Sequence, residues 1–406
     1  MSRSASLLKP RAPVWLLVLI TISGTLAMHM FVPALPAAAQ ALGVDSAAMQ
    51  RTISIYILGL AFGQLAYGPL SDGLGRRPML LVGLSLYTVA GFCAAFAGDI
   101  HTLVLARLIQ ALGGCAGLAL GRAIVRDGAK LDDAVRDLAL LNLMMMIGPG
   151  FAPLIGSLIS EHLGWRAIFL VLASLGALTL LCTWRLLPET GSPSGQVSVH
   201  ALARDYGHLL RSPVILGFAV GGACMTTAIY AFIAAAPFII GTELHRPLSE
   251  VGVYLGLLIV GMSVGNALTR RLIRSVAVDR LLLVGAGLSI ASALSLLAVV
   301  CAGWVSVAWM VGLVSLFAVG AGLASPAAMS RALSVDAHLV GSAAGLYGFG
   351  QMAVGALCTF AVGFGRDPAL AAAAVLSSAA LLGLAGFSVG MAARRTREAQ
   401  AVELAT

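Results

Sequence analysis

Three groups of residues in this chain have types and spacings suited to chemistry. His29 stands in a long apolar stretch, with Thr25 four residues before it, Pro33 four after and Pro36 seven after. On a helix these positions share one face. Each proline removes a backbone donor and so frees carbonyls near the imidazole. Imidazole titrates near neutral pH, so one reading is a group that carries a proton or contacts a substrate. The other is a neutral histidine hydrogen-bonded across a helix bundle. Arg107 opens a later apolar stretch and is followed by Gln110, Gly114, Gly117 and Gly121 at spacings of three and four. A guanidinium keeps its proton. Inside lipid it must therefore line a polar pathway, where it would steer proton release, or snorkel to an interface. The third group is the run Gly68-Pro69-Leu70-Ser71-Asp72-Gly73-Leu74-Gly75-Arg76-Arg77, which crowds an acid and two arginines into one glycine-rich turn.

The elements that must position these groups follow from composition. Of 406 residues 59% are hydrophobic and 10% charged, with a mean hydropathy of +0.97, far from the roughly 25% charge of soluble domains. Apolar windows long enough to cross a hydrocarbon core of roughly 30 Å recur at 14–36, 53–70, 79–97, 103–120, 138–159 and 167–187. They continue at 214–240, 251–268, 281–300, 304–325, 340–363 and 370–391. This predicts an all-α membrane protein of about twelve spans. With both termini inside, the outer loops hold only Arg51, Arg166, Arg246 and Arg366, Arg107 lies within a span, and the other basic residues fall on the inner side. That bias predicts an N-in, C-in topology. It also makes the formal charge of +8 a topology signal, with some attraction to anionic membrane lipid and none to nucleic acid.

All 17 carboxylates fall in loops or at span ends. A buried carboxylate is the usual way to hold a cation or a proton in lipid; here His29 is the titratable group left near mid-membrane. The six cysteines are scattered singly, so neither a metal site nor a disulfide framework is expected. No phosphate-binding G-x-x-x-x-G-K-[ST] run is present, which argues against direct use of ATP. No Ser/His, paired-Asp or metal constellation lies within the spans, so no enzyme and no cofactor are expected.

The longest hydrophilic stretch, 188–213, divides the spans six and six and reads as a linker. The run from Gly265 to Arg274 follows the eighth span as Gly68 to Arg77 follows the second, keeping glycine, leucine and a basic cluster but lacking the acid. The expected organisation is a six-helix half at 1–187, a linker at 188–212 and a second half at 213–406. Such duplicated halves build a site at their interface and alternate its access. Gly148, Ala152 and Gly156 in the fifth span form a small-residue stripe, with Pro149 and Pro153 bending the helix. Phe31, Gln110, Met146, Tyr230 and Gln351 are further candidates for the cavity wall.

The run 68–77 resembles the G-x-L-x-D-x-x-G-R-[RK] loop of major facilitator transporters. With Met30-Phe31-Val32-Pro33-Ala34-Leu35-Pro36, Arg107-Leu108-Ile109-Gln110-Ala111, Arg122-Ala123-Ile124-Val125-Arg126-Asp127, Gly164-Trp165-Arg166 and Leu187-Pro188-Glu189-Thr190, the chain resembles the Bcr/CflA (bicyclomycin/chloramphenicol-resistance) branch of drug:proton antiporters. The resemblance implies the twelve-helix major facilitator fold and proton-driven export of small drugs across the bacterial inner membrane. It implies that Gly68, Asp72, Gly75, Arg76, Arg77 and Asp127 form a conformational switch, Asp72 docking against helix eleven and Arg76 pairing with Asp127. It ties Arg107 to proton coupling and makes Gly148, Pro149, Pro153 and Gly156 the antiporter motif of helix five. Relatives typically carry an aspartate where this chain has His29, so proton antiport requires that His29 or another group substitute for it. The expected partners are a drug or metabolite, protons and lipid, with the protein a monomer. An exporter or importer of a natural metabolite, or a receptor without transport, are the alternative readings.

Overall fold

A computed structural model describes residues 12–128, 131–191, 199–333 and 340–403. Among these the chain is helical throughout. The first helix, α1 (Val14–Leu42), is broken by a 3-10 turn at Val32–Ala34. Pro33 and Pro36 cannot donate to the carbonyls four residues back, which belong to His29 and Val32, so the ladder fails there. The helix resumes and runs past the expected end at 36 to Leu42, where Gly43, at φ 64°, stops it. There follow α2 (Ser46–Leu74), α3 (Arg76–Ala95), α4 (Ile100–Gly128), α5 (Leu131–Leu163) and α6 (Trp165–Leu186). The second set is α7 (Pro213–Gly241), α8 (Leu248–Leu272), α9 (Val278–Cys301), α10 (Val307–Leu333), α11 (Val340–Val362) and α12 (Pro368–Glu403). Among the described residues eleven of these are long and apolar enough to span a membrane; α5 is the twelfth long helix.

Start signals are written in acids at one end of the bundle. Asp45 accepts from Ala48 N at 2.7 Å, Asp99 from Thr102 N at 2.9 Å and Asp367 from Leu370 N at 2.9 Å, capping α2, α4 and α12. The opposite end carries the linker. That stretch, expected as a polar connection, contains a helix at Val199–Leu210. Leu209 is buried with Ile215, Ala343 and Leu346, and Tyr206 packs against them, while Arg204 and His208 face out. Packing of one apolar face overrides the polar composition.

The same pairings recur in both sets of six. α4 packs on α1, α2 and α3 as α10 packs on α7, α8 and α9, and α3 meets α6 as α9 meets α12. The two sets meet along α2 with α11 and α5 with α8. Away from the linker, Val32–Ala34 is wholly buried and touches α7 and α8. There too, a side chain at Gly252 would lie 2.8 Å from Leu154 Cα and one at Gly363 3.5 Å from Gln50 Oε1.

Candidate functional site

α1 is the element on which the polar groups converge. Its backbone carbonyls accept from three helices: Tyr87 Oη (α3) donates to Ser23 O at 3.1 Å, Tyr56 Oη (α2) to Gly24 O at 2.7 Å and Arg107 Nη1 (α4) to Ala27 O at 3.0 Å. Such approach needs small residues. A side chain at Gly114 of α4 would lie 2.9 Å from Gly24 Cα, and one at Gly156 of α5 would overlap Met30 O. The glycines after Arg107 and the helix-five stripe are thus both spent on seating α1. Gly148 faces Ile22 more loosely, and Pro153 is buried beside α8. The side chains of Met146 and Pro149 lie outside the described residues.

Arg107 is fully buried. Its guanidinium carbon lies 3.9 Å from the Tyr56 ring centre, 5.4 Å from Phe31 and 5.6 Å from Phe169, and Nη1 also donates to Gln110 Oε1 at 2.9 Å. Among the described residues Nε and Nη2 of Arg107 and Nε2 of Gln110 meet no acceptor. The cation is therefore held by aromatic faces, a carbonyl and an amide. Burial rules out snorkelling to the surface.

His29 is buried too, with Nδ1 2.8 Å from Thr25 O. A carbonyl only accepts, so Nδ1 carries the hydrogen and Nε2 is the nitrogen open to a proton. The ring meets Tyr230 of α7 edge-on, centroids 6.3 Å apart. Ala27 and Phe31, which touch Arg107, are four residues apart, and His29 lies between them at about 200° around the helix from Ala27. α1 therefore separates His29 from Arg107. Phe31 packs with Trp165 and Phe169 inside the first half. In the second half, Gln351 Nε2 donates to Thr226 Oγ1 at 2.9 Å, and Thr227 Oγ1 donates to Gln351 O at 2.8 Å.

At the linker end Arg76 gathers the charges. Its Nη2 is 2.7 Å from Asp72 Oδ1, its Nε 3.1 Å from Asp127 Oδ2, and it also donates to Ser71 Oγ. Asp72, 65% exposed, is engaged with Arg76 and, among the described residues, makes no ion pair or hydrogen bond to α11. Arg77 Nη2 donates to Trp184 O at 2.8 Å. Gly68 borders open space. Glu189, given no role from sequence, accepts from Arg76 N at 3.0 Å and Arg77 N at 3.1 Å, capping α3. Gly75, at φ 104°, makes room: a side chain there would lie 2.7 Å from Glu189 Oε2.

The family model described as Major Facilitator Superfamily matches residues 17–359. The chain belongs to this superfamily. Among its relatives are a bicyclomycin resistance protein homolog of Haemophilus influenzae, 25% identical over 63% of this chain and 65% of that protein, and a chloramphenicol resistance protein of Pseudomonas aeruginosa, 37% identical over 44% and 43%. Multidrug resistance protein D of Escherichia coli is 34% identical over 43% and 44%. These matches span less than two thirds of the relatives' lengths, and their names agree with the Bcr/CflA branch that the motifs resemble. Solved major facilitator structures share the fold. A bacterial homolog of the human lysosomal transporter Spinster superposes with a TM-score of 0.70 at 14% identity over 94% of this chain and 96% of its own. The xylose transporter XylE of Escherichia coli gives 0.67 at 14% over 91% and 95%. The chain is a multi-pass membrane protein of this superfamily.

Proposed function

We propose that this transporter exports small amphipathic drugs or metabolites across the bacterial inner membrane by proton antiport, working as a monomer with both termini in the cytoplasm. The moving units are 1–187 and 213–406, joined through 188–212. The observation that carries the reading is His29: a titratable side chain at the seam between α1 and α7, beside a proline-broken turn, in a chain whose carboxylates all lie at span ends or in loops. Export as the direction is supported by the names of the relatives. In the working cycle, Nε2 takes a proton from outside when the seam opens there and releases it inward when substrate enters from the cytoplasm. The network of Asp72, Arg76 and Asp127 biases which end is open. Antibiotic susceptibility of an efflux-deficient host, with and without the protein, tests the reading. Raised resistance that a protonophore removes is expected, and unchanged susceptibility to every compound in the panel overturns it.

A further inference from the structure

Away from the span ends, the groups in this chain that carry or can gain a charge near neutral pH, Arg107 and His29, have one sign. Arg107 is wholly buried, and its contacts are neutral: Ala27 O, Gln110 Oε1 and the rings of Tyr56, Phe31 and Phe169. Two of its nitrogens and the Gln110 amide nitrogen have no acceptor among the described residues. Arg122, towards the linker end of α4 and exposed, reaches the sulfur of Met145 at 3.5 Å. All 17 carboxylates are at span ends or in loops, and His29 can only add positive charge.

We infer that the preferred substrate is an amphipathic organic anion, a carboxylate on an apolar body, and that Arg107 sets this preference through its field without touching the ligand. The inference rests on the transport reading above and names its substrate class. A substrate in the seam lies across α1 from Arg107, about one helix diameter or 10 Å away. At the effective dielectric of protein sites, a unit charge at that distance changes binding by roughly tenfold, in favour of an anion and against a cation. Hydrogen bonding to neutral groups leaves that field uncancelled.

The test uses three probes with one ring system and charges of −1, 0 and +1: 1-naphthaleneacetate, 1-naphthaleneacetamide and 1-naphthalenemethylammonium. Their binding to the purified full-length protein in nanodiscs is measured by tryptophan fluorescence. The carboxylate is expected to bind roughly tenfold tighter than the amide, and the amide tighter than the ammonium. Arg107→Lys, which keeps the charge, should retain the order; Arg107→Gln should abolish it. His29→Asp, which leaves the Arg107 hydrogen bonds in place, should flatten or reverse it. Equal binding of the three, preference for the ammonium, or no binding by any overturns the inference. Probes that bind in the expected order but are not moved in proteoliposomes leave the charge preference standing and remove the transport reading instead.

Discussion

The two halves use one packing scheme and two different polar interiors. Where α3 crosses α4, side chains at Gly83 and Gly113 would press on each other's carbonyls at 3.0 and 2.5 Å; where α9 crosses α10, Gly285 and Gly320 repeat this at 2.7 and 2.6 Å. Yet α1 is held by a guanidinium and two phenols, whereas α7 is held to α11 by Thr226, Thr227 and Gln351, all neutral. The linker-end clusters differ in sign as well. In the first half the cation Arg76 is central, with Asp72 and Asp127 around it. In the second the acid Asp279 is central, with Arg331 at 2.9 Å and Arg394 at 3.6 Å. Small residues at helix crossings fix the fold in both halves, and what is hung on that frame is free to diverge. The proton antiport proposed above places its chemistry in the first half, at His29.

The largest expected effect breaks or keeps that assignment. His29→Gln retains hydrogen bonding but does not titrate near neutral pH, so substrate-driven proton flux in proteoliposomes should fall at least about tenfold, to the background leak. Gln351→Leu in the second half loses the bond to Thr226, so it should weaken substrate binding while leaving the protons moved per substrate unchanged. Equal loss of coupling in both variants would mean that the halves share the proton step.

A second comparison is one of stability, read as unfolding temperature in detergent. Arg107→Lys keeps a buried charge but loses the planar fork that stacks on Tyr56 and bonds Ala27 O; a cost of about 2 kcal/mol is expected. Arg107→Met removes the charge without orphaning a carboxylate, and buried ions are often replaced by apolar groups at little cost, so its unfolding temperature should stay near wild type. Gln351→Leu should cost about 1 kcal/mol, the worth of one neutral hydrogen bond. Arg107→Met falling as far as Arg107→Lys would show that the guanidinium is structural cement after all.

Much of this frame is legible in the sequence, because membrane spans announce themselves by length and apolarity. The glycine spacing after Arg107 marks a close crossing correctly. What the sequence leaves out is direction around a helix when the partner is unknown. His29 and Arg107 look like neighbours by depth, yet the contacts of Ala27 and Phe31 put α1 between them. Tyr56 and Tyr87 carry no local signal, since an intramembrane tyrosine is common and its target is a backbone carbonyl on another helix. Glu189 reads as an ordinary linker acid until the start of α3 is seen beside it. The acid missing from the run after α8 is found as Asp279, beyond the turn and at the start of α9, where a residue-by-residue alignment with 68–77 does not look for it.

The smallest expected effects separate the two linker-end clusters. Asp279→Asn removes an acid that pairs with both Arg331 and Arg394. With the Asp279 side chain 36% exposed, solvent screening holds the cost to about 1 kcal/mol. Asp72→Asn should cost less, under about 0.5 kcal/mol, because the carboxylate is 65% exposed and Arg76 keeps Asp127 and Ser71. Its consequence is expected in rate. Asp72 is the one member of its cluster exposed enough to leave Arg76 without a desolvation penalty, so it is the member able to change partner as the halves rock. A bias of even a few tenths of a kcal/mol between open states shifts their populations noticeably. Export by Asp72→Asn should therefore be slow in well-expressed, normally melting protein, while Asp279→Asn should melt lower and export in proportion to the amount that remains folded. Normal turnover in Asp72→Asn would make the first-half cluster a static clamp like the second, and the difference between the halves would then be confined to their membrane interiors.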